Sequence, residues 1–203
     1  QAATEGMVLL KNEHDALPLA AGKKLALFGN STHDIIIGGT GSGDVHEAYS
    51  VTLPQGLEHA GYATDKALSQ AYAQHIKAAK SRRPETNPFL APPPLPEWVP
   101  TAEQIDAAAT ANDVALVTIG RNSGEFIDRK AKDDFYLTEA EQTLIRNVST
   151  AFHKAGKPVV VVLNIGGVIE LASWRDQVDA ILLAWQPGQE AGHAMADVLS
   201  GKV

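Results

Sequence analysis

The run PVVVVLN at residues 158–164 constrains the fold more than any other feature of this sequence. A β-branched side chain is restricted in a helix and packs well on a pleated surface. Successive side chains of a strand point to opposite faces, so consecutive valines put apolar groups on both. A strand apolar on both faces is covered on both, as in a parallel sheet flanked by helices.

The rest of the chain repeats the theme. KKLALFG (23–29), DVALVTIG (113–120) and VDAILLAW (178–185) read as further strands, and YATD (62–65) as a brief one. Helical patterns lie between them. TLPQGLEHAG (52–61) stops at Gly61, and KALSQAYAQHIKAAK (66–80) carries Leu68, Tyr72, Ile76 and Ala79 at helical spacing. TAEQIDAAATAN (101–112) opens on a capping Thr101. TEAEQTLIRNVSTAFHKAG (138–156) has a Thr138–Glu141 capping box and a Gly156 stop. EAGHAMADVLSG (190–201) reads as the last helix, VIELASW (168–174) as a short one, and QAATEGMVLLKN (1–12) as a helical pattern under way. This alternation predicts an α/β three-layer sandwich, a mostly parallel sheet with helices on both faces. The stretch 82–100 holds most of the eleven prolines and reads as an excursion within one domain spanning 1–203, because the alternation resumes after it. The patterns at both ends suggest a piece of a longer protein.

Composition narrows the function classes. A hydrophobic fraction of 44% supplies a core, and a net charge of −7 argues against a nucleic-acid partner. Without cysteine there is no thiol catalysis, disulfide or zinc–thiolate site. No apolar run reaches the roughly 20 residues that cross a bilayer, so no membrane partner is expected. The compartment is left open between cytoplasm and periplasm or secretion, and a homo-oligomer is allowed.

In a parallel sheet, ligands bind where loops leave the C-terminal ends of the strands. Four loops qualify: 30–46, 121–135, 164–167 and 186–190. The second, in GRNSGEFIDRKAKDDF, is crowded with ionisable groups. Its lysines, with Asp133 and Asp134, read as solvated. Glu125 stands beside Phe126, an apolar neighbour that would desolvate the carboxyl and raise its pKa, as an acid catalyst requires. Arg121 and Arg129 would act the other way or bind an anion. The glycine-rich loop holds Gly39, Gly41 and Gly43. It reads either as a plain turn-rich loop or as close backbone approach to a polar ligand, with Asp44 presenting a carboxylate. It fits neither a Walker loop nor a dinucleotide fingerprint. No metal-binding spacing occurs among the histidines, and a shared Asp44–His46 site reads as solvated loop residues. His153 and His193 read as surface or partly packed. Ser31, Ser42 and Ser123 lack the frame of a serine-hydrolase elbow. For Trp174 core packing is expected; Trp185, at a strand end, is open to packing or to stacking on a sugar.

Five motifs in order, EGMVLLKNEHDALPL, GTGSGDVH, IGRNSGEFIDRKAKDDFYLT, VVVVLNIGGVIELASW and ILLAWQPGQEAGHAMADVLSGK, give a resemblance. The chain resembles the α/β sandwich domain of glycoside hydrolase family 3, chiefly its β-glucosidases. The resemblance implies no cofactor, a β-glucoside or oligosaccharide substrate, and a (β/α)8-type barrel domain, in the same or a companion chain, that supplies an aspartate nucleophile. It places the general acid/base on Glu125. Gly41, Ser42, Asp44, Arg121, Ser123, Phe126 and Arg129 become the substrate-binding or site-shaping candidates. Where many members have glycine after the glutamate, this chain has Phe126. The alternative is a non-catalytic carbohydrate-binding or scaffolding module.

Overall fold

A computed structural model of the chain describes residues 1–44, 46–84, 93–125 and 128–203. Among them, six strands form one sheet: β1 (Val8–Asn12), β2 (Lys24–Phe28), β3 (Ala63–Thr64), β4 (Val114–Arg121), β5 (Val159–Ile165) and β6 (Ala180–Leu183). Their order is β1-β6-β5-β4-β2-β3, with every neighbouring pair parallel except β1 and β6. The helices are α1 (Ala2–Gly6), α2 (Asn30–His33), α3 (Leu53–His59), α4 (Lys66–Ser81), α5 (Ala102–Ala111), α6 (Glu139–Lys154) and α7 (Ala191–Leu199).

The valine run does what its pattern demands. Val159, Val161 and Leu163 join Phe28 and Val117 on one face, under Tyr72, Ile105, Leu144 and Phe152 of α4, α5 and α6. Val160 and Val162 join Leu27 and Leu116 on the other, under Leu53, Leu57, Met195 and Leu199 of α3 and α7. Each fully buried side chain of this kind contributes about 1.5–3 kcal/mol. The result is the three-layer α/β sandwich that the alternation predicts.

Two local expectations are corrected. The N-terminal segment is helical only over Ala2–Gly6 and then becomes β1, an antiparallel edge strand on β6. Its helical spacing loses to an open sheet edge whose unpaired backbone groups it satisfies. Val8, Leu9 and Leu10 stay 44%, 49% and 44% exposed there. VIELASW forms no helix; a turn leads instead to a short 3-10 segment over Arg175–Gln177. Burial of Trp174, 2% exposed with its Nε1 donating to Glu170 O at 2.8 Å, sets that path.

The proline-rich excursion is described from Pro93 onward. Prolines cannot donate, so helix groups hold it in place. The Glu97 carboxylate accepts the Asn30 N–H at 3.0 and 3.2 Å, and Asn30 Nδ2 donates to Pro96 O at 2.8 Å. His75 Nε2 donates to the same carbonyl at 3.0 Å, and Trp98 packs edge-on against Tyr72. Burial pushes the Glu97 carboxyl up to about 8, aided by the charge of Glu141 and opposed by its hydrogen bonds and by Arg121. Burial also pulls His33, stacked on Tyr72, down to about 4.

On the opposite face α3 and α7 touch backbone to backbone. A Cβ on Gly56 would sit 2.0 Å from Gly192 O, and one on Gly192 would sit 2.0 Å from Thr52 O. Gly192 N–H donates to Val51 O at 2.9 Å.

Two outcomes are expected. Gly56→Ala should cost at least about 1–3 kcal/mol by overpacking, read from denaturant midpoints. The raised Glu97 pKa means that the folded state holds a proton which the unfolded chain has released. The contribution of Glu97 to stability should therefore decline as pH rises from about 4.5 to about 8; His33 works the opposite way up to about 6.5, so the net decline should appear between about 6.5 and about 8. Glu97→Gln should flatten that decline in thermal melts across the same range, leaving the acid-side loss from His33 in place.

Candidate functional site

All four loops at the C-terminal ends of the strands meet. Thr40 and Gly124 form a β-bridge, with Thr40 N–H donating to Ser123 O at 3.1 Å. Gln186 Nε2 donates to Asn122 Oδ1 at 3.3 Å, and Gly188 N–H to Ile37 O at 2.9 Å. A Cβ on Gly166 would lie 2.1 Å from Ser123 Oγ.

Asn164, wholly buried near the end of β5, ties its own strand end to loop 30–46 and to Trp185 just after β6. Its Oδ1 accepts from Ser31 Oγ and Ile36 N at 2.8 Å each. Its Nδ2 donates to Ile36 O and Trp185 O, also at 2.8 Å each. Both donors and both acceptor positions of the amide are used. Sequence reasoning marked 164–167 as a loop and missed this role. The available signal was one polar residue closing an otherwise apolar run.

The two arginines of the charged loop are engaged in ion pairs. Arg121 at the end of β4 sends Nη1 and Nη2 to the two oxygens of Glu141 at 2.5 and 2.7 Å. It also donates to Asp134 O at 2.8 Å and Gly120 O at 2.7 Å. The pair is buried, with side chains 10% and 6% exposed. Glu141 is thus both the capping-box residue of α6, accepting from Thr138 N–H at 2.8 Å, and the partner of Arg121. Asp134 is not the solvated residue that its setting suggested. Arg129 Nε and Lys130 N–H donate to it at 2.7 and 3.0 Å. Burial alone would raise its pKa, but those bonds and the charges of Arg129 and Arg121 hold it low. Asp133 takes a positive φ of 59° in the turn beside it.

Glu125 stands at the exposed tip of this loop. Ser42 N–H donates to its Oε2 at 3.0 Å, and Ser42 Oγ to its Oε1. The hydroxyl first and the N–H second hold the carboxyl below the usual glutamate range. Both expectations about its electrostatics are therefore corrected. The pKa is not raised, and the arginines are not what lowers it, since their guanidinium groups are engaged with Glu141 and Asp134. The proposed apolar neighbour, Phe126, lies outside the described residues.

Two glycines let the loops approach. Gly41 has φ +71°, and a Cβ there would lie 2.7 Å from Glu125 Oε2 and 2.8 Å from Glu125 Cβ. A Cβ on Gly124 would lie 1.7 Å from Thr40 Oγ1. In this structure the glycine-rich loop closely approaches a carboxylate of the protein itself, that of Glu125. Asp44 is exposed beyond the pair, its N–H closing the turn onto Gly41 O at 3.0 Å. Trp185, 39% exposed, has its Nε1 tied to Gly6 O at 3.0 Å, and Trp98 is packed against Tyr72 and His75.

Arg121→Met strands the buried Glu141 carboxylate. It should destabilise the protein by about 3–5 kcal/mol, whereas Arg121→Met with Glu141→Leu should cost less than the single change. Denaturant titration of the single and double variants checks this.

Comparison with known proteins places the architecture. The beta-glucosidase A of Butyrivibrio fibrisolvens is 38% identical over 231 residues, taking in 100% of this chain and 26% of that protein. The periplasmic beta-glucosidase of Salmonella typhimurium is 30% identical across 99% of this chain and 26% of its own length. The structure of beta-glucosidase 3B from Thermotoga neapolitana in complex with α-D-glucose superposes with a TM-score of 0.94 at 46% identity, over 100% of this chain and 28% of that one. The chain thus spans about a quarter of the length of these relatives. Residues 7–203 match the family model of the glycosyl hydrolase family 3 C-terminal domain, and the chain belongs to that family.

Proposed function

We propose that this chain supplies the general acid/base, Glu125, to a retaining β-glucosidase whose aspartate nucleophile stands on a barrel domain elsewhere in the protein. The observation that carries this reading is the place of Glu125, held by Ser42 beside the Thr40–Gly124 bridge. It is an exposed carboxylate at the meeting point of the strand-end loops, while Asp134 and Glu141 nearby are consumed by arginines. The β-glucosidase names of the relatives supply the reaction class.

Retaining hydrolysis needs two carboxyl groups about 5–5.5 Å apart. One attacks the anomeric carbon. The other gives a proton to the departing oxygen, then takes one from water. The ionised Glu125 held by Ser42 is in the state that the second step uses. The first step needs the protonated state. A bound sugar that excludes water and a facing carboxylate both favour it. Placing the two carboxyls on separate parts of the protein lets their approach assemble the site and exclude water together. By this reading the separated chain does not hydrolyse glucosides.

In the full-length protein, Glu125→Ala should slow hydrolysis of glucosides with poor leaving groups by roughly 10²–10⁴-fold. Activated aryl glucosides should suffer less, and azide should restore turnover with a β-glycosyl azide as product. Steady-state kinetics with product analysis decides. Unchanged turnover would remove Glu125 from the reaction.

A further inference from the structure

A carboxylate on an exposed loop normally samples several rotamers, and its two oxygens exchange places freely. Glu125 has no such freedom. Ser42 N–H holds Oε2 at 3.0 Å, and Ser42 Oγ holds Oε1. Backbone geometry presents both donors. Ser42 sits in the 3-10 turn Gly41–Gly43, closed by Asp44 N–H on Gly41 O at 3.0 Å. The Thr40–Gly124 bridge fixes that turn against the chain entering Glu125. Gly41 leaves room for the carboxylate to lie against the turn.

From this we infer that Ser42 is a positioning residue for Glu125: its backbone N–H and its hydroxyl grip the two carboxylate oxygens and set which way the group faces. The inference rests on the acid/base reading of Glu125 and adds a residue that acts through it.

The two donors differ in one respect. An N–H can only donate, so it favours the ionised carboxylate. A hydroxyl donates to a carboxylate and, after rotating, accepts from a protonated carboxyl. Ser42 Oγ can therefore keep its contact through both protonation states, with the proton on Oε1. In the ionised state it is also the largest influence on where Glu125 titrates. The charged groups around Glu125 do not share that role. Arg121 and Arg129 in its own loop are paired with Glu141 and Asp134, and Asp44 in the facing turn and Asp128 beyond the tip are exposed to solvent. Neither they nor any other charged side chain among the described residues contributes to the shift.

The experiment is the pH dependence of kcat and KM for a glucoside with a poor leaving group. It uses the full-length protein as wild type, Ser42→Ala, Ser42→Thr and Glu125→Gln. Ser42→Ala should move the limb belonging to Glu125 to higher pH and, because the carboxyl is no longer oriented, lower kcat on the plateau below that limb. Ser42→Thr, which keeps the hydroxyl, should return the limb toward the wild-type position. Two results for Ser42→Ala would overturn the inference while leaving the acid/base reading intact, provided Glu125→Gln is inactive. One is a limb that stays in place with kcat reduced equally at every pH. The other is a pH-independent rise in KM alone, which marks Ser42 as a sugar contact. Full activity of Glu125→Gln would overturn the acid/base reading, and the inference with it.

Discussion

Arg121 leaves β4 with its guanidinium already committed, and the shape of the loop after it follows from that commitment. Two charges removed from water need each other and need their remaining hydrogen-bonding positions filled. Glu141 meets the first demand, while the carbonyls of Gly120 and Asp134 meet the second. Because Glu141 also caps α6, one carboxylate locks the end of a strand to the start of the next helix. Glu125 lies exposed in the chain between them. Part of the dense charge after this core strand is thus a frame, an arginine on each of Glu141 and Asp134, beside which Glu125 is held by a serine instead.

The architecture was legible because burial imposes periodicity. The strands β2, β4, β5 and β6 and the helices α3 to α7 carry their spacing and their stops in local sequence, and capping at Thr101 and Thr138 marks two starts. The segment that became β1 was not legible, since its pairing depends on an edge of β6 that is nearly the whole chain length away. Nor was the path of 168–174, which answers to the burial of one indole.

At the strand ends, the four loops marked in the sequence do meet, but the electrostatics expected of Glu125 do not hold. An adjacent Phe126 and two nearby arginines are neighbours in the chain, whereas the pKa of Glu125 answers to Ser42, eighty-three positions away. Asp134 and Glu141 looked like surface charge and a helix cap because their partners cannot be read from spacing. Asn164 and Glu97 were missed for the same reason. Each is a polar side chain whose contacts lie almost entirely with distant segments.

The fused crossing of α3 and α7 has a mechanical consequence. Helices that meet through side chains can slide as rotamers change, but Gly56 and Gly192 leave nothing between the two main chains to give way. The segment before α3 brings Tyr49 to Glu190 at the head of α7, and Val51 N–H to Gln189 O at 2.8 Å. Sliding α3 along α7 would therefore have to break main-chain hydrogen bonds, Val51 N–H to Gln189 O and Gly192 N–H to Val51 O, rather than exchange rotamers.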